Sequence, residues 1–556
     1  MPSPETHRTF PRMTAEHPIV GGRSRPGQQR IDVFSPSDAE KIAEVSLATT
    51  ADVDEAVALA SSRWRYWHGL AWTKKRDILE RVLYLLVDRA EGLARIVALE
   101  QGKPVHEALA VEIIPSADHA RFLATQAERL LRPRGRAARQ PLFLHKKAHL
   151  RAEPYGAVLI ISPWNYPFAI PFIQAMTALA AGNSVVIKPS PDTPLSALAL
   201  GRLLLDAGIP EPVVHVLPVS TEGAEHLVGH ADIRKVVFTG STATGRRIQE
   251  VASRNTTPVL LELGGKDAAI VLRDADLERT ARGLCWAAFL NAGQTCASIE
   301  RVYVEKEIAG PLIERCTELA AQLKVGDPFV DQTEMGPLTR ETERRRVIDQ
   351  IDDAGRGGAV VHTGGRAPER KGWYYEPTVL SGVREGMKIL EAETFGPVLP
   401  FAVVGSAEEA LARCNASPFG LCASVWTSSR SKADTLAAAL EVGTVTINDV
   451  VFSFGESTAC WGGQKQSGYG RTHGPEGLYE MIQWKYVSLD PAGDAGPAWW
   501  HPYDKSYLEF VHNALPALYA PSLGQRLGGL ARLLRIKRFR DSLHPAALIR
   551  NLRKMF

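Results

Sequence analysis

The stretch Ala157–Ser190, AVLIISPWNYPFAIPFIQAMTALAAGNSVVIKPS, decides the architecture of this chain. AVLIIS is an unbroken apolar, β-branched run, the mark of a strand buried on both faces. PFIQAMTALAAG is a helical stretch, and SVVIKPS opens a second buried strand. Strand, helix and strand in succession make two parallel strands joined by a crossover.

The same alternation continues downstream. VVHVLP (213–218), KVVFTG (235–240) and PVLLELGG (258–265) read as further strands, with SALALGRLLLDAG and TATGRRIQEVASR as helices between them. DAAIVL, RVYVEKE, ASVWTSS and TVTIND repeat the pattern, enough for a second α/β unit. The expected fold class is therefore α/β with two lobes, and ligands in such sheets bind outside the carboxyl ends of the strands. Upstream, Ala51–Leu131 is rich in Ala, Leu, Arg and Glu at helical spacing and reads as a helical hairpin or bundle. Arg132–Arg139 reads as a basic connector, and residues 1–30 as a flexible lead-in.

Composition bounds the function classes. At 556 residues the chain has room for roughly three to four structural units. Hydrophobic residues at 45% and charged residues at 23% exclude a disordered, collagen-like or disulfide-stapled protein. The six cysteines contain no C-x-x-C pair, so neither a zinc site nor a disulfide framework is expected, and a reducing compartment fits. The N-terminus lacks an apolar signal run, and no eighteen consecutive apolar residues occur. The expected location is cytoplasmic, or at most peripheral to a membrane. A net charge of +3 gives no reason to expect nucleic acid. It hides a split, however: Leu523–Phe556 holds nine Lys and Arg against Asp541, a local +8, which leaves −5 on the rest.

Four places could carry chemistry. In FTGSTATG, Gly240 and Gly245 enclose four residues between a strand and a helix, either a tight turn or a phosphate site at a helix start. In NAGQTCAS, Cys296 has small or polar neighbours, so it is either an accessible nucleophilic thiol or a small buried residue. Glu262 sits inside an apolar strand, where desolvation would raise its pKa toward that of a general base, unless a Lys or backbone N–H pairs it. Asn165, at the carboxyl end of AVLIIS, would either donate to a developing oxyanion or cap the next helix.

Taken together, PWNYP, VIKPS, FTGSTATG, ELGGKD, GQTC and ETFGPV, in this order, resemble the aldehyde dehydrogenase superfamily over about Ile31–Leu489. The resemblance implies two Rossmann-like lobes, an oligomerisation arm and, here, an unmatched C-terminal helical tail. The implied division is residues 31–130 with 155–263 for NAD(P) binding and 264–475 for catalysis. Residues 131–154 with 476–490 would form the arm, and 491–556 an aromatic and basic extension. Cys296 is implied as the nucleophile, Asn165 as oxyanion donor and Glu262 as the base that hydrolyses a thioester to a carboxylic acid. Glu262 also argues against the CoA-acylating branch. For the cofactor, NAD or NADP, the matching residues are Trp164, Lys188, Gly240, Ser241, Gly245, Glu393 and Phe395; no metal is implied. Many NAD-preferring members place a Glu where this chain has Pro191, so NADP is not disfavoured by charge.

The tunnel positions Tyr166, Ala169, Ile170, Phe452 and Phe454 offer aromatic and aliphatic surface without Arg or Lys. The expected substrate is an apolar medium- or long-chain aliphatic or aromatic aldehyde, since a semialdehyde needs a cation for its carboxylate. A semialdehyde dehydrogenase, or a membrane-recruited scaffold, is the alternative. A homodimer or homotetramer is implied. In the tail, Trp499, Trp500, Tyr503, Tyr507, Phe510 and Tyr519 precede a basic segment in which Arg538 falls near the face of Leu527, Leu530 and Leu534. Its last part puts Leu548, Leu552 and Met555 on one face, with Arg550 and Arg553 off it. Three readings stand: an anionic membrane surface, packing on the chain's own acidic body or a neighbouring subunit, or disorder.

Overall fold

The computed structural model describes residues 15–140, 143, 146–490 and 497–542. The chain divides into two compact units, residues 1–130 with 154–482, and residues 131–153 with 483–556.

The larger unit holds two sheets. The first has eight strands, and its five central strands are Ala157–Ile161, Ser184–Lys188, Val214–Val216, Ile233–Thr239 and Val259–Glu262. All five are parallel. Numbered along the chain, their order across the sheet is third, second, first, fourth, fifth. The direction of winding therefore reverses between Ala157–Ile161 and Ile233–Thr239, which register Val158 beside Lys235 and Ile161 beside Phe238. A crevice opens outside the strand ends at such a reversal. Helices cover the faces, and every residue of Ala157–Ile161 is buried, as the unbroken apolar run requires. The antiparallel strands Ile19–Val20 and Arg23–Ser24 lie at one edge, and Gly468–Tyr469 at the other.

The second sheet has seven strands, six of them parallel, in the order Val360–Thr363, Thr378–Ser381, Val398–Val404, Ile299–Glu305, Asp267–Val271, Cys422–Trp426 and Thr444–Ile447. Its core is continuous, from Ala268–Leu272 through Val302–Val304 to Leu399 and Val425. The helical region expected upstream is Thr50–Gly69, Trp72–Asp88, Ala90–Gln101 and Ile114–Leu131, with a π-helical turn at Leu109–Ile113. A capping box between Thr49 and Asp52 starts the first of these helices.

The smaller unit contains a three-stranded sheet, Arg134–Arg136, Lys147–Pro154 and Ile482–Leu489, with the last strand at an edge. It also contains three helices, Lys505–Tyr519, Leu523–Leu533 and Lys537–Ser542. These helices bury a small core of Ala498, Phe510, Ala514, Leu533, Ile536 and Phe539. Arg538 donates to the carbonyls of Ala498, Trp500 and Pro502, which accounts for a cation beside an apolar face. The described part of the tail, residues 497–542, thus has a small core of its own.

Two expectations need correction. The described part of the lead-in, residues 15–30, includes the strand Ile19–Val20, whose two apolar residues are buried and whose Ile19 pairs with Val216. The basic connector contains the strand Arg134–Arg136, which pairs with Ala148–Leu150. The face expected from Leu548, Arg550, Leu552, Arg553 and Met555 lies outside the described residues. No helix among the described residues is long and apolar enough to cross a membrane.

Candidate active site

The crevice at the winding reversal holds a cavity of about 130 Å³. Pro163, Trp164 and Asn165 line it from the end of one strand, and Thr239, Gly240 and Ser241 from the end of the next. Glu262, Cys296, Glu393 and Phe395 complete much of the wall. Ser241 caps the helix Thr242–Ser253, accepting from the Thr244 N–H, so the positive end of that helix faces the cavity. Arg340 and Arg346 also line it, at positions that none of the six motifs covers. Arg340 pairs with Asp192 at 2.8 Å and lies over the Trp164 ring, which meets Phe395 edge to face. A helix N-terminus, two guanidinium groups and two aromatic walls fit the phosphates and rings of a dinucleotide.

Two expected cofactor residues stand outside this lining. Lys188 ends the neighbouring strand, with its ammonium disfavoured by burial and partly restored by Asp192. Gly245 lies within the helix, where a Cβ would come 2.6 Å from Leu263 Cδ2. Its missing side chain makes room for close packing against Leu263.

Cys296 does not come from a carboxyl strand end. It lies on the turn entering the strand Ile299–Glu305 of the second sheet. That turn is strained: Asn291 and Ala292 have φ of 54°, a left-handed conformation costing on the order of 1–3 kcal/mol for a residue with a Cβ. Gly293, at φ 74°, has no such penalty, and a Cβ there would lie 2.1 Å from Gly396 O. The strain is held by a buried network. The Asn291 N–H donates to Glu107 at 2.7 Å, and its amide donates to Asn165 O at 3.0 Å and accepts from Gln101 at 2.8 Å. Lys103, fully buried, pairs with Glu112 at 2.7 Å and donates to Asn165 O at 2.9 Å. Gln294, the glutamine of GQTC, accepts from the Thr339 N–H and donates to Asn291 O.

Asn165 is no helix cap, since the following helix starts at Ala169 without a side-chain cap. Its amide Nδ2 donates to Gln294 O at 3.0 Å, which occupies one of its two hydrogens. The other remains available for an oxyanion.

ELGGKD and ETFGPV meet at the same turn. Glu393 accepts from the Gly265 N–H at 3.1 Å, and a Cβ on Gly264 would lie 2.7 Å from that carboxylate. Glu300, four residues past Cys296, accepts from the Thr394 and Phe395 N–H groups and pairs with Lys266 at 2.7 Å.

On its other side Cys296 opens into a tunnel of about 330 Å³. Tyr166, Ile170, Phe452 and Phe454 line it, as expected, together with Trp286, Trp461 and Glu456. Ala169 does not line it. Its N–H donates to Glu112 at the buried start of its helix, because the helix turns Tyr166 and Ile170, rather than Ala169, toward the opening. Cys296 and Ile170 belong to both spaces, so the thiol stands where the cavity and the tunnel meet.

A profile of the aldehyde dehydrogenase family matches residues 24–487. The chain belongs to the aldehyde dehydrogenase family. It is an NAD(P)-dependent oxidoreductase of aldehydes. It is 35% identical, over 88% of its length and 95% of the relative's, to a Mycobacterium ulcerans protein that carries the name of an NADP(+) succinate-semialdehyde dehydrogenase. It is 33% identical to the chloroplastic betaine aldehyde dehydrogenase of Amaranthus hypochondriacus, over 85% of its own length and 95% of the relative's. Among solved structures, an aldehyde dehydrogenase of Bacillus cereus in complex with NAD+ superimposes with a TM-score of 0.83 at 32% identity. That match covers 88% of this chain and 99% of the other.

Electrostatics distinguish the groups that face the thiol of this aldehyde dehydrogenase. Burial pushes the Glu262 carboxyl up to about 8, with Arg471 and the Trp461 side chain pulling the other way. Glu262 Oε1 has no hydrogen-bond partner among the described residues, as suits an atom waiting for a water. Burial also raises Glu393, to about 7. The Cys296 thiol is pushed well up, first by burial and then by Asp267, Glu262 and Glu393. Burial thus favours the protonated thiol, and each of these carboxyls disfavours the thiolate further when it ionises. Trp461 is buried in a cluster with Ala297 and Leu421, against which Cys296 and Phe454 pack. No local sequence signal assigns a role to Trp461, Lys103, Glu107, Glu112 or Asn291.

Proposed function

We propose that this enzyme oxidises an apolar aldehyde, aliphatic of medium or long chain or aromatic, to its carboxylic acid. The observation that carries the reading is the place of Cys296, between the cavity shared with Asn165 and Glu262 and an aromatic tunnel. An aldehyde entering by the tunnel presents its carbonyl carbon to the thiol. Cys296 gives its proton to solvent water and attacks as the thiolate, which forms a C–S bond and moves the carbonyl electron pair to oxygen, where the second N–H of Asn165 Nδ2 donates to the oxyanion. NAD(P), when bound against Trp164, Ser241, Glu393 and Phe395, supplies the hydride acceptor. The resulting thioester on Cys296 is attacked by a water that loses its proton to Glu262, and the thiol leaves as the acid forms.

The tunnel volume lies at the lower end of ligand pockets, roughly 300–1,000 Å³. Its lining is mainly aliphatic and aromatic and, among the described residues, has Glu456 but no Lys or Arg. That composition disfavours succinate semialdehyde, despite the name of the Mycobacterium relative. A second reading has specific support: Tyr166, Trp286, Phe452, Phe454 and Trp461 with Glu456 suit a quaternary ammonium aldehyde. A panel of aldehydes tests both, run with NAD and with NADP. Rising kcat/KM with chain length supports the first reading, and a preference for betaine aldehyde the second. A preference for succinate semialdehyde contradicts both.

We also read the enzyme as a homo-oligomer. Ile482–Leu489 is an edge strand with exposed Trp484, Tyr486 and Leu489, and such an edge invites pairing. All six cysteines are unpaired, which supports a cytoplasmic location.

A further inference from the structure

We propose that the helical hairpin Lys505–Leu533 docks the enzyme onto an anionic phospholipid surface. Each of its two long helices has two apolar stripes and buries only one. In Lys505–Tyr519, Phe510 and Ala514 enter the small core, while Leu508, Val511, Leu515 and Tyr519 stay exposed at helical spacing. In Leu523–Leu533 and the residue after it, Gly529 and Leu533 are buried, while Leu523, Leu527, Leu530 and Leu534 are exposed. Leu515 is 67% exposed and Leu523 70%, high for leucines on well-formed helices. Eight large side chains on one hairpin exceed the scattered apolar surface of an ordinary soluble protein.

Charge selects the partner. Arg526, Arg535, Lys537 and Arg540 are exposed around the second stripe, and Arg532 donates to Asn513 of the first helix. Residues 131–153 and 483–556 together carry eighteen Lys and Arg against six Asp and Glu, a net +12. A second copy of the hairpin would oppose like with like. Residues 543–556 add Arg550, Arg553 and Lys554 and no acid, so they would not neutralise the rim either. An anionic bilayer satisfies both features: acyl chains take the leucines, and headgroup phosphates meet the cations. Trp500 and Tyr503, exposed just before the hairpin, have the amphipathic rings that favour that interface. The family match stops at residue 487, so this surface is additional to the catalytic fold.

Co-sedimentation of the full-length enzyme with vesicles tests the proposal. Vesicles of equal phosphatidylcholine and phosphatidylglycerol should retain it at low salt, whereas pure phosphatidylcholine should bind roughly tenfold less. The triple variant L523S/L527S/L530S, the double variant L508S/L515S, and R526Q/R535Q/K537Q should each lower partitioning by roughly tenfold or more. All should keep wild-type kcat/KM on a water-soluble aldehyde, which establishes that they fold. Three results overturn the proposal: no binding of the wild type, equal binding to neutral vesicles, or unchanged binding of the leucine variants. If the leucine variants instead change the oligomeric state while wild type ignores vesicles, a second copy is the occupant, and the lipid assignment is wrong.

Discussion

Burial, more than any neighbouring charge, governs the two reacting side chains. Glu262 is held up to about 8, so below that pH it carries the proton it must be free to accept. Hydrolysis of the acyl-enzyme should therefore quicken as pH rises through about 8 and level off above it. In Glu262→Gln, stopped-flow absorbance should show the first-turnover burst of NAD(P)H followed by a slow, pH-flat steady state. Ionised Glu262 is also one of the charges that hold up the Cys296 thiol, behind burial and Asp267. At pH 9 without cofactor, Glu262→Gln should thus speed iodoacetamide labelling of Cys296 several-fold, at roughly tenfold per pKa unit of a thiol mostly protonated. Slower labelling would mean that Glu262 takes the thiol proton in the resting enzyme.

The turn Leu290–Cys296 cannot hold its left-handed residues alone, and the platform beneath it is a separate element, Gln101–Glu112. Lys103→Met should destabilise the protein by about 3–5 kcal/mol in urea unfolding, because Glu112 and Asn165 O lose a fully buried cation. It should also lower kcat, since Lys103 positions Asn165, the proposed oxyanion donor, and raise KM, since its ammonium lies 3.9 Å from the ring of the tunnel residue Tyr166. This platform was the part of the site least legible beforehand. The strands announced themselves through unbroken apolar runs, and Cys296, Glu262 and Asn165 through short motifs, because those signals are local. Lys103 meets Asn165 across 62 residues, and Gln101 meets Asn291 across 190, separations that no periodicity records. A hint was present in EQGKPVHEALAVEII, where Lys103, Glu107 and Glu112 interrupt an apolar helical region as charges that must be partnered. Ala169 stands off the tunnel for a related reason: a motif names positions, while helix rotation decides which of them face a cavity.

At the scale of the whole molecule, charge and chemistry separate. The residues placed at the site, from Gln101 to Arg471, all lie in the larger unit, and the excess positive charge lies in the smaller one. Deleting residues 491–556 should therefore leave kcat/KM for a soluble aldehyde within about twofold, since a uniform kcat/KM change beyond that would need a lost contact at the site. Steady-state kinetics of the truncated enzyme checks this. The central claim remains covalent: the aldehyde carbon passes through an acyl group on one sulfur, and Glu262 releases it. Incubating Glu262→Gln with NAD(P)+ and an apolar aldehyde, then mapping peptides by mass spectrometry, tests it most directly. The account predicts the acyl mass on the peptide carrying Cys296, with about one NAD(P)H formed per site. NAD(P)H production without that adduct, or an adduct on Cys285, Cys316, Cys414, Cys422 or Cys460 instead, would contradict it.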